Sequence, residues 1–422
     1  MLKTTLLAAL LKLAGICLAF LFLLVAARAS TDAEYGIFAA VFSLATILGF
    51  AFTGGQHLAV LRFWPAYDEA YGRGYAEAAL RWSLLRAVAA CMAGSGALAL
   101  VWLILSFVQP ATPLVLQAPL ALVAMTLAFA LSEVAQAALR AQSAVVTALA
   151  GREVLWRCLA ISAVLIAGGS SGVSLIWLAA GTLGVVTLAQ FANLSARRVK
   201  PQILPTCDRQ QMTQTSVWLW AGATAGPLGS HSGTIVVALV LGPAAGGAYF
   251  AADRIAKLLS IALIAVNQVV APVLSRDFHA GRVEAVRRVM TLGALMAGGI
   301  AVGGGLILAV AGPFALGLFS DSYRAAAPAL TLLILGQVGN TLCGPNAMLL
   351  NMAGLEKAAT FVMGGWSVAT PALVWLGATM GGLTGAAAGA AAAMIGWNLN
   401  VLWVCHARLR ILPWSFRRLR AG

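Results

Sequence analysis

The sequence contains few charged residues. Only 9% of its 422 residues are Asp, Glu, Lys or Arg and 61% are hydrophobic, whereas roughly 25% of an ordinary soluble domain is charged. The polar sequence between the apolar runs is too short to cover the surface of one soluble globule. The composition therefore predicts a chain dissolved in a lipid bilayer and excludes a soluble catalytic domain.

Motifs for metal, phosphate and nucleic-acid binding are also missing. The six cysteines show no CxxC or Cys/His spacing, and the four histidines are too dispersed for a metal cluster. The glycine-rich stretches lack the P-loop pattern, so their expected role is close helix packing and local bending. The cations form no solvated basic domain, which argues against a nucleic-acid partner. We expect no cofactor, no metal and no enzymatic activity.

The apolar runs predict an all-α membrane protein with about twelve transmembrane helices in two lobes of six. The first six spans cover residues 6–28, 36–58, 78–107, 118–139, 146–168 and 173–195. The second six cover residues 216–241, 247–274, 290–318, 328–351, 358–379 and 382–406. We assign 1–195 to the first lobe, 196–215 to a cytoplasmic linker, 216–407 to the second lobe and 408–422 to a basic cytoplasmic tail.

The positions of the cations predict the orientation. Lys and Arg number 27 against 13 Asp and Glu, and most, Arg152 among them, fall in even-to-odd connections or the tail. Because Lys and Arg are retained on the cytoplasmic side, we expect both termini in the cytoplasm, where the cations also suit anionic membrane lipids. A signal peptide cleaved near residues 27–29 is the alternative, and cleavage would destroy the six-plus-six arrangement.

Five short stretches resemble a known family. They are EYGIF at residues 34–38, LRFWP at 61–65, LGP at 241–243, AYFAADRI at 248–255 and APVLS at 271–275. Their order and spacing are similar to the polysaccharide transporters of the multidrug/oligosaccharidyl-lipid/polysaccharide exporter (MOP) superfamily, which include O-antigen and exopolysaccharide flippases. The resemblance implies two lobes around a central cavity that opens alternately to each side of the bacterial inner membrane. It implies an undecaprenyl-diphosphate-linked oligosaccharide as cargo, with a polysaccharide polymerase and export machinery as partners.

Ionisable residues inside apolar spans are candidates for function because they are costly to insert. Span 8 holds the densest set, Asp253, Arg254 and Lys257. The two cations share one helix face and are suited to bind a diphosphate. The alternative is that Lys257 only neutralises Asp253, while Arg254 extends to the outer headgroups.

Other spans contain further candidates. Those for substrate binding are Arg62, Arg86, Arg157 and His231. The alternatives are that Arg86 in span 3 and Arg157 in span 5 extend to the cytoplasmic headgroups and that His231 only packs between helices. Glu133 is the lone carboxylate best placed to couple transport to a proton or sodium ion, unless it only packs beside Gln136. Asp253 is the second ion-coupling candidate. The amides that either contact sugar or bond between helices are Asn267, Gln268, Gln337, Asn340 and Asn346.

Two other functions remain open. The first is a cation-coupled multidrug exporter of the same superfamily, although such proteins typically carry an acidic residue in the first span and residues 1–27 contain none. The second is a polytopic glycosyltransferase or polymerase, in which Asp32 and Glu34 resemble a metal-binding pair. The short outer connections favour a solvated loop for this pair instead.

Overall fold

The computed structural model describes residues 2–108 and 118–411. The structure is 89% helical, and no strand occurs in these ranges, so the predicted all-α class is confirmed. Contacts divide the chain into two compact units, Met1–Gly247 and Ala248–Gly422. The proposed boundary at 196–215 stays a prediction, and most of the predicted basic tail lies outside the described residues.

Outside residues 109–117, the first unit contains nine α-helices and one π-helix. They are α1 (Leu2–Arg28), α2 (Asp32–Phe52), α3 (Gln56–Tyr71), α4 (Arg73–Val108), α5 (Pro119–Ala141), α6 (Val145–Leu149), the π-helix (Ala150–Leu155), α7 (Trp156–Ala167), α8 (Gly172–Ala196) and α9 (Thr206–Leu241). The central helix is α2, which packs against α5, α8 and α9. Around it, Phe22, Phe38, Phe42, Phe129 and Trp156 form a ring of aromatic contacts with centroids 5.3 to 6.3 Å apart.

The remaining helices begin at the unit boundary and continue through the second unit. They are α10 (Pro243–Lys257), α11 (Ser260–His279), α12 (Val283–Gly317), a 3₁₀ turn (Asp321–Ala326), α13 (Ala327–Leu342), α14 (Asn346–Met352) and α15 (Glu356–Leu409). Within the second unit, α12 packs against α11 and α13, and α13 packs against α15. Small residues make the contact between α13 and α15 close, because a Cβ on Gly336 would lie 3.0 Å from the Cα of Ala391, nearer than most side chains pack.

The predicted number of spans agrees with the described helices. Ten segments have the length and hydropathy needed to cross a membrane. The fifth predicted span is not among them because the π-helix divides residues 145–167 into short pieces, although their helical path is continuous. The 54-residue α15 supplies two spans, since Gly381 and Gly382 interrupt it with non-helical backbone angles. These two additions bring the ten segments to the predicted twelve.

Glycines permit two close backbone contacts in the first unit. Gly55 separates α2 from α3 with a left-handed φ of 74°, and a Cβ at this position would collide with the carbonyl oxygen of Ser216 on α9. Gly36 packs against the carbonyl of Pro243, so the EYGIF and LGP stretches are in direct contact. The close packing predicted for the glycine-rich stretches is seen in the last span, where Gly385 packs against the carbonyl of Gly377.

Candidate functional sites

The three charged residues predicted as a group lie together on α10. Lys257 Nζ donates to Asp253 Oδ2 at 2.7 Å, because residues four apart share a helix face. Arg254 Nε lies 3.9 Å from the same oxygen, and Arg254 Cζ lies 4.5 Å from the centroid of the Phe250 ring. The exposed fractions of the side chains are 11% for Asp253, 21% for Arg254 and 23% for Lys257. Two cations and one carboxylate leave this buried cluster with a net positive charge.

Glu133 is not the lone carboxylate that the sequence indicated. It forms an ion pair with Arg152 of the π-helix, and Arg152 Nη1 also donates to Gln136 Oε1 at 3.5 Å. The exposed fractions of the two charged side chains are 12% and 14%. The sequence places Arg152 among the cations of the cytoplasmic connections, whereas the structure includes it in the helical path of residues 145–167; its side of the membrane stays a prediction.

The π-helix positions Arg152 opposite α5. Its wider turn breaks the regular ladder of backbone hydrogen bonds, a feature frequent at functional sites. Gln190 of α8 compensates by donating Nε2 to the carbonyl of Ala148 at 3.1 Å. His57, at the start of α3, lies within electrostatic range of Glu133 and Arg152, and its Nδ1 is 2.9 Å from Thr53 Oγ1. Sequence reasoning missed His57 because nothing in the sequence relates residue 57 to residues 133 and 152.

Arg157 is neutralised within its own segment. Its Nη1 donates to Glu153 Oε2 at 2.6 Å, and its Cζ lies 5.6 Å from the centroid of the Trp156 ring. Gly15 of α1 covers this pair so closely that an added Cβ would lie 2.8 Å from Glu153 Cβ. Arg157 is therefore bound to protein groups, and its role toward cargo stays a prediction.

The other substrate-binding candidates lie on different helices with different neighbours. Arg86 of α4 donates to Thr213 Oγ1 of α9 at 2.6 Å. Arg62 of α3 is exposed, with its Cζ 5.9 Å from the centroid of the Phe63 ring. His231 of α9 is half-buried and has interactions of its own. The contacts that the structure records for these residues do not join them into one binding surface.

Amides and carboxylates singled out in the sequence have mainly structural contacts. Asn398 Nδ2 donates to Asn340 Oδ1 at 2.9 Å, which joins α15 to α13 as the packing alternative expected. Glu34 is not in a solvated loop, because its Oε2 accepts from the backbone N–H of Gly172 at 2.5 Å, at the start of α8. No group of three or more potential metal ligands occurs among the described residues.

Comparison with known proteins decides the fold. Over 96% of this chain and 94% of the other, the structure matches a multidrug resistance MATE family transporter of the MOP superfamily, with a TM-score of 0.74 and 16% identity. The chain has the MATE fold. This fold places twelve transmembrane helices in two lobes, as the sequence predicted. At 16% identity the match shows the fold alone, and no family profile or curated protein matches the sequence.

Two further structures with the MATE fold match the chain over nearly its whole length. A MATE transporter from Vibrio cholerae has a TM-score of 0.59 and 17% identity, and the match covers 97% of this chain and 98% of that one. A MOP superfamily transporter from Pyrococcus furiosus has a TM-score of 0.63 and 15% identity, with coverage of 96% and 94%. The second is described with a binding pocket of reverse polarity that suggests a different function.

Proposed function

We propose that this protein is a membrane transporter that exports amphipathic organic cations in exchange for protons. The observation that carries the proposal is the MATE fold, shared over 96% of the chain with a multidrug resistance transporter. Alternating access moves cargo without a soluble catalytic domain, which agrees with the 9% of charged residues in the sequence. We therefore prefer the exporter, which a fold match over nearly the whole chain supports, to the flippase, which the five short stretches imply.

The ion pair between Glu133 and Arg152 is the proposed coupling element. Arg152 already neutralises Glu133, so an ion that binds Glu133 has to compete with this pair. Displacing Arg152 would leave a mostly buried guanidinium without its counter-charge, which is costly. The π-helix that holds Arg152 would then have a driving force to rearrange. We propose the proton as the coupling ion because it needs a single carboxylate oxygen, whereas sodium needs several oxygen ligands.

Efflux of ethidium from loaded cells tests this proposal. Cells that produce the wild-type protein should expel the dye faster than deletion cells and should stop when a protonophore removes the proton gradient. Glu133→Gln should slow efflux at least about tenfold, a loss of roughly 1.4 kcal/mol or more of coupling free energy. Glu69→Gln, which changes an exposed carboxylate of α3, should leave efflux unchanged.

Two outcomes would contradict this function. Equal dye retention in deletion and wild-type cells would exclude export of cationic dyes. Efflux that persists with a protonophore and follows a sodium gradient would support the transporter function but would show that sodium, not the proton, is the coupling ion.

A flippase for an undecaprenyl-diphosphate-linked oligosaccharide is the second candidate. It is favoured by the cluster of Asp253, Arg254 and Lys257, because two partly buried cations beside one carboxylate attract a diphosphate and repel a cationic drug. The absence of acidic residues from positions 1–27 also favours it. Polysaccharide polymerase and export machinery belong to this candidate as partners.

The same deletion strain separates the two candidates. Loss of a surface polysaccharide, with its lipid-linked precursor retained in the cytoplasmic leaflet, supports the flippase. Unchanged polysaccharide together with new sensitivity to cationic drugs supports the exporter. Because both measurements use one pair of strains, differences in expression between laboratories or vectors do not enter the comparison.

A further inference from the structure

Two arginines of the first unit share one tryptophan. Arg86 Cζ of α4 lies 5.9 Å from the centroid of the Trp82 ring, and Arg209 Cζ of α9 lies 5.1 Å from the same ring. Both distances are within the range of favourable cation–π contact. We name Arg86, Trp82, Arg209 and Thr213 the α4–α9 cluster.

Hydrogen bonds hold the members of the α4–α9 cluster in place. Arg86 Nη1 donates to Thr213 Oγ1 at 2.6 Å. The hydroxyl of Thr213 donates in turn to the backbone carbonyl of Arg209 at 2.7 Å. Arg86 is thereby joined to the helical turn that carries Arg209, and both guanidinium groups are oriented around the indole.

The two cations are not balanced by acidic residues. All 13 Asp and Glu lie within the described ranges, and no ion pair joins any of them to Arg86 or Arg209. Asp208, the neighbour of Arg209 in the chain, accepts a hydrogen bond from the hydroxyl of Tyr75. Glu77, nine residues before Arg86 on α4, pairs with Arg81 at 3.3 Å. The two arginines repel each other, and no acidic side chain of the described residues forms an ion pair with either of them. An anion from outside the protein would therefore stabilise the cluster.

The position of the cluster indicates what kind of anion reaches it. Arg86 lies eight residues inside the predicted third span, about 12 Å from its start, while Arg209 precedes the predicted start of the seventh span at residue 216. Both starts are predicted on the cytoplasmic side. Arg209 is exposed, and Trp82 and Arg86 are half-buried. The cluster thus extends from the predicted cytoplasmic surface, where Arg209 is accessible to a lipid phosphate, toward the interior of the third span, where Arg86 lies.

We infer that the α4–α9 cluster binds the phosphate of a membrane lipid. Guanidinium groups donate paired hydrogen bonds that fit phosphate oxygens. The indole of Trp82 keeps the guanidinium groups of Arg86 and Arg209 close together. Either an anionic phospholipid or an isoprenoid diphosphate supplies this chemistry. The inference does not rest on the proposed export of cations, and an isoprenoid diphosphate as the ligand would support the second candidate, the flippase.

Binding to the purified full chain in lipid nanodiscs tests the inference in two arms. The first arm counts phosphatidylglycerol retained from mixed phosphatidylcholine and phosphatidylglycerol nanodiscs by native mass spectrometry. The second measures the affinity of farnesyl diphosphate in phosphatidylcholine nanodiscs. Arg86→Gln and Arg209→Gln should each weaken binding about tenfold in at least one arm, because charge-assisted hydrogen bonds are strong. A loss confined to one arm identifies the phospholipid or the isoprenoid diphosphate as the ligand.

Two controls make the result decisive. Arg197→Gln removes another exposed cation, which donates to Asn193 Oδ1 at 2.9 Å, and should change binding less than about twofold because it is not a member of the α4–α9 cluster. Arg86→Lys keeps the charge but loses the paired donors, so it should retain part of the binding, and this partial binding excludes loss of fold as the cause. Unchanged binding by Arg86→Gln and Arg209→Gln in both arms would overturn the inference. So would an equal loss in Arg197→Gln, since that outcome means diffuse surface charge.

Discussion

Single residues in the membrane segments are neutralised locally. Asp253 contacts Lys257, Glu133 contacts Arg152, and Glu153 contacts Arg157. Two of these three pairs join residues four apart on the same helical path, while the pair of Glu133 joins separate segments. A charge without a partner is expensive in the bilayer, so each pair lowers the cost of keeping an ionisable group inside a span.

The pair of Asp253 and Lys257 gives a prediction at the residue scale. Lys257→Gln should lower the unfolding midpoint of the purified full chain because it leaves Asp253 buried with only Arg254 nearby, a cost of about 1–3 kcal/mol. The double change Asp253→Asn with Lys257→Gln should recover most of this loss, since both charges are then removed. Scanning fluorimetry in detergent measures each midpoint.

An exposed pair in the same unit serves as the control. Arg324 and Asp321 are 3.0 Å apart, with side chains 58% and 80% exposed. Arg324→Gln should therefore shift the midpoint little, because exposed ion pairs contribute about 0–1 kcal/mol. A double variant of Asp253 and Lys257 that is less stable than Lys257→Gln would show that the two residues do not act as a pair.

At the scale of elements, glycines determine where helices break and how closely they pack. Gly54 and Gly55 end α2 with positive φ angles of 58° and 74°. Gly381 and Gly382 bend α15 into two arms. Gly385, on the arm after the bend, packs against the carbonyl of Gly377 on the arm before it. A Cβ is excluded by backbone conformation at some of these positions and by a neighbouring backbone at others.

Gly54 and Gly55 allow these two effects to be separated. Gly54→Ala meets only an ordinary contact of 3.4 Å with Ala90 Cβ, so it should lose about 1–2 kcal/mol from the left-handed backbone alone. Gly55→Ala has the same backbone strain and also collides with Ser216 of α9. It should therefore be clearly less stable than Gly54→Ala when abundance and unfolding midpoint are measured. Equal midpoints would mean that α9 does not approach α3 this closely.

The two arms of α15 give a second prediction for an element. Gly385→Ala would push its methyl group into the carbonyl of Gly377, so we expect a lower unfolding midpoint and less protein in the membrane. Gly364→Ala has open space around its Cβ. Alanine is favoured over glycine in a helix interior by about 1 kcal/mol. Gly364→Ala should be neutral or slightly stabilising. A neutral Gly385→Ala would exclude close packing of the two arms.

The orientation of the whole molecule follows from the cations between spans. Cys207 is exposed in the first turn of α9, in a stretch with Arg197, Arg198, Lys200 and Arg209 that we predict to be cytoplasmic. In intact spheroplasts, an impermeant thiol reagent should miss Cys207 when the other five cysteines are serine. Permeabilised spheroplasts should be labelled.

A reporter on the opposite side provides the control for orientation. Gly169, between α7 and α8, has open space around it and lies in a predicted outer connection. Gly169→Cys in a cysteine-free chain should react in intact spheroplasts. The reverse pattern, with Cys207 labelled and Gly169→Cys protected, would invert the predicted topology and place both termini outside.

Hydropathy along the chain was sufficient to predict the class of the protein and the number of its spans. Both depend on local properties, because about twenty apolar residues in a row can be satisfied only as a membrane-spanning helix. The π-helix and the bend at Gly381 and Gly382 did not alter that number, since neither adds or removes an apolar run.

Contacts between polar residues of different helices could not be predicted and became visible in the folded structure. Arg152 pairs with Glu133 across two segments, Arg209 and Arg86 share Trp82 across α4 and α9, and Gly55 lies against Ser216. Hydropathy depends on composition within one segment, whereas these contacts depend on how separate helices rotate and pack. A single sequence carries no signal for that rotation when polar residues are this sparse. Glu133 therefore looked unpaired in the sequence, although packing provides it with a guanidinium.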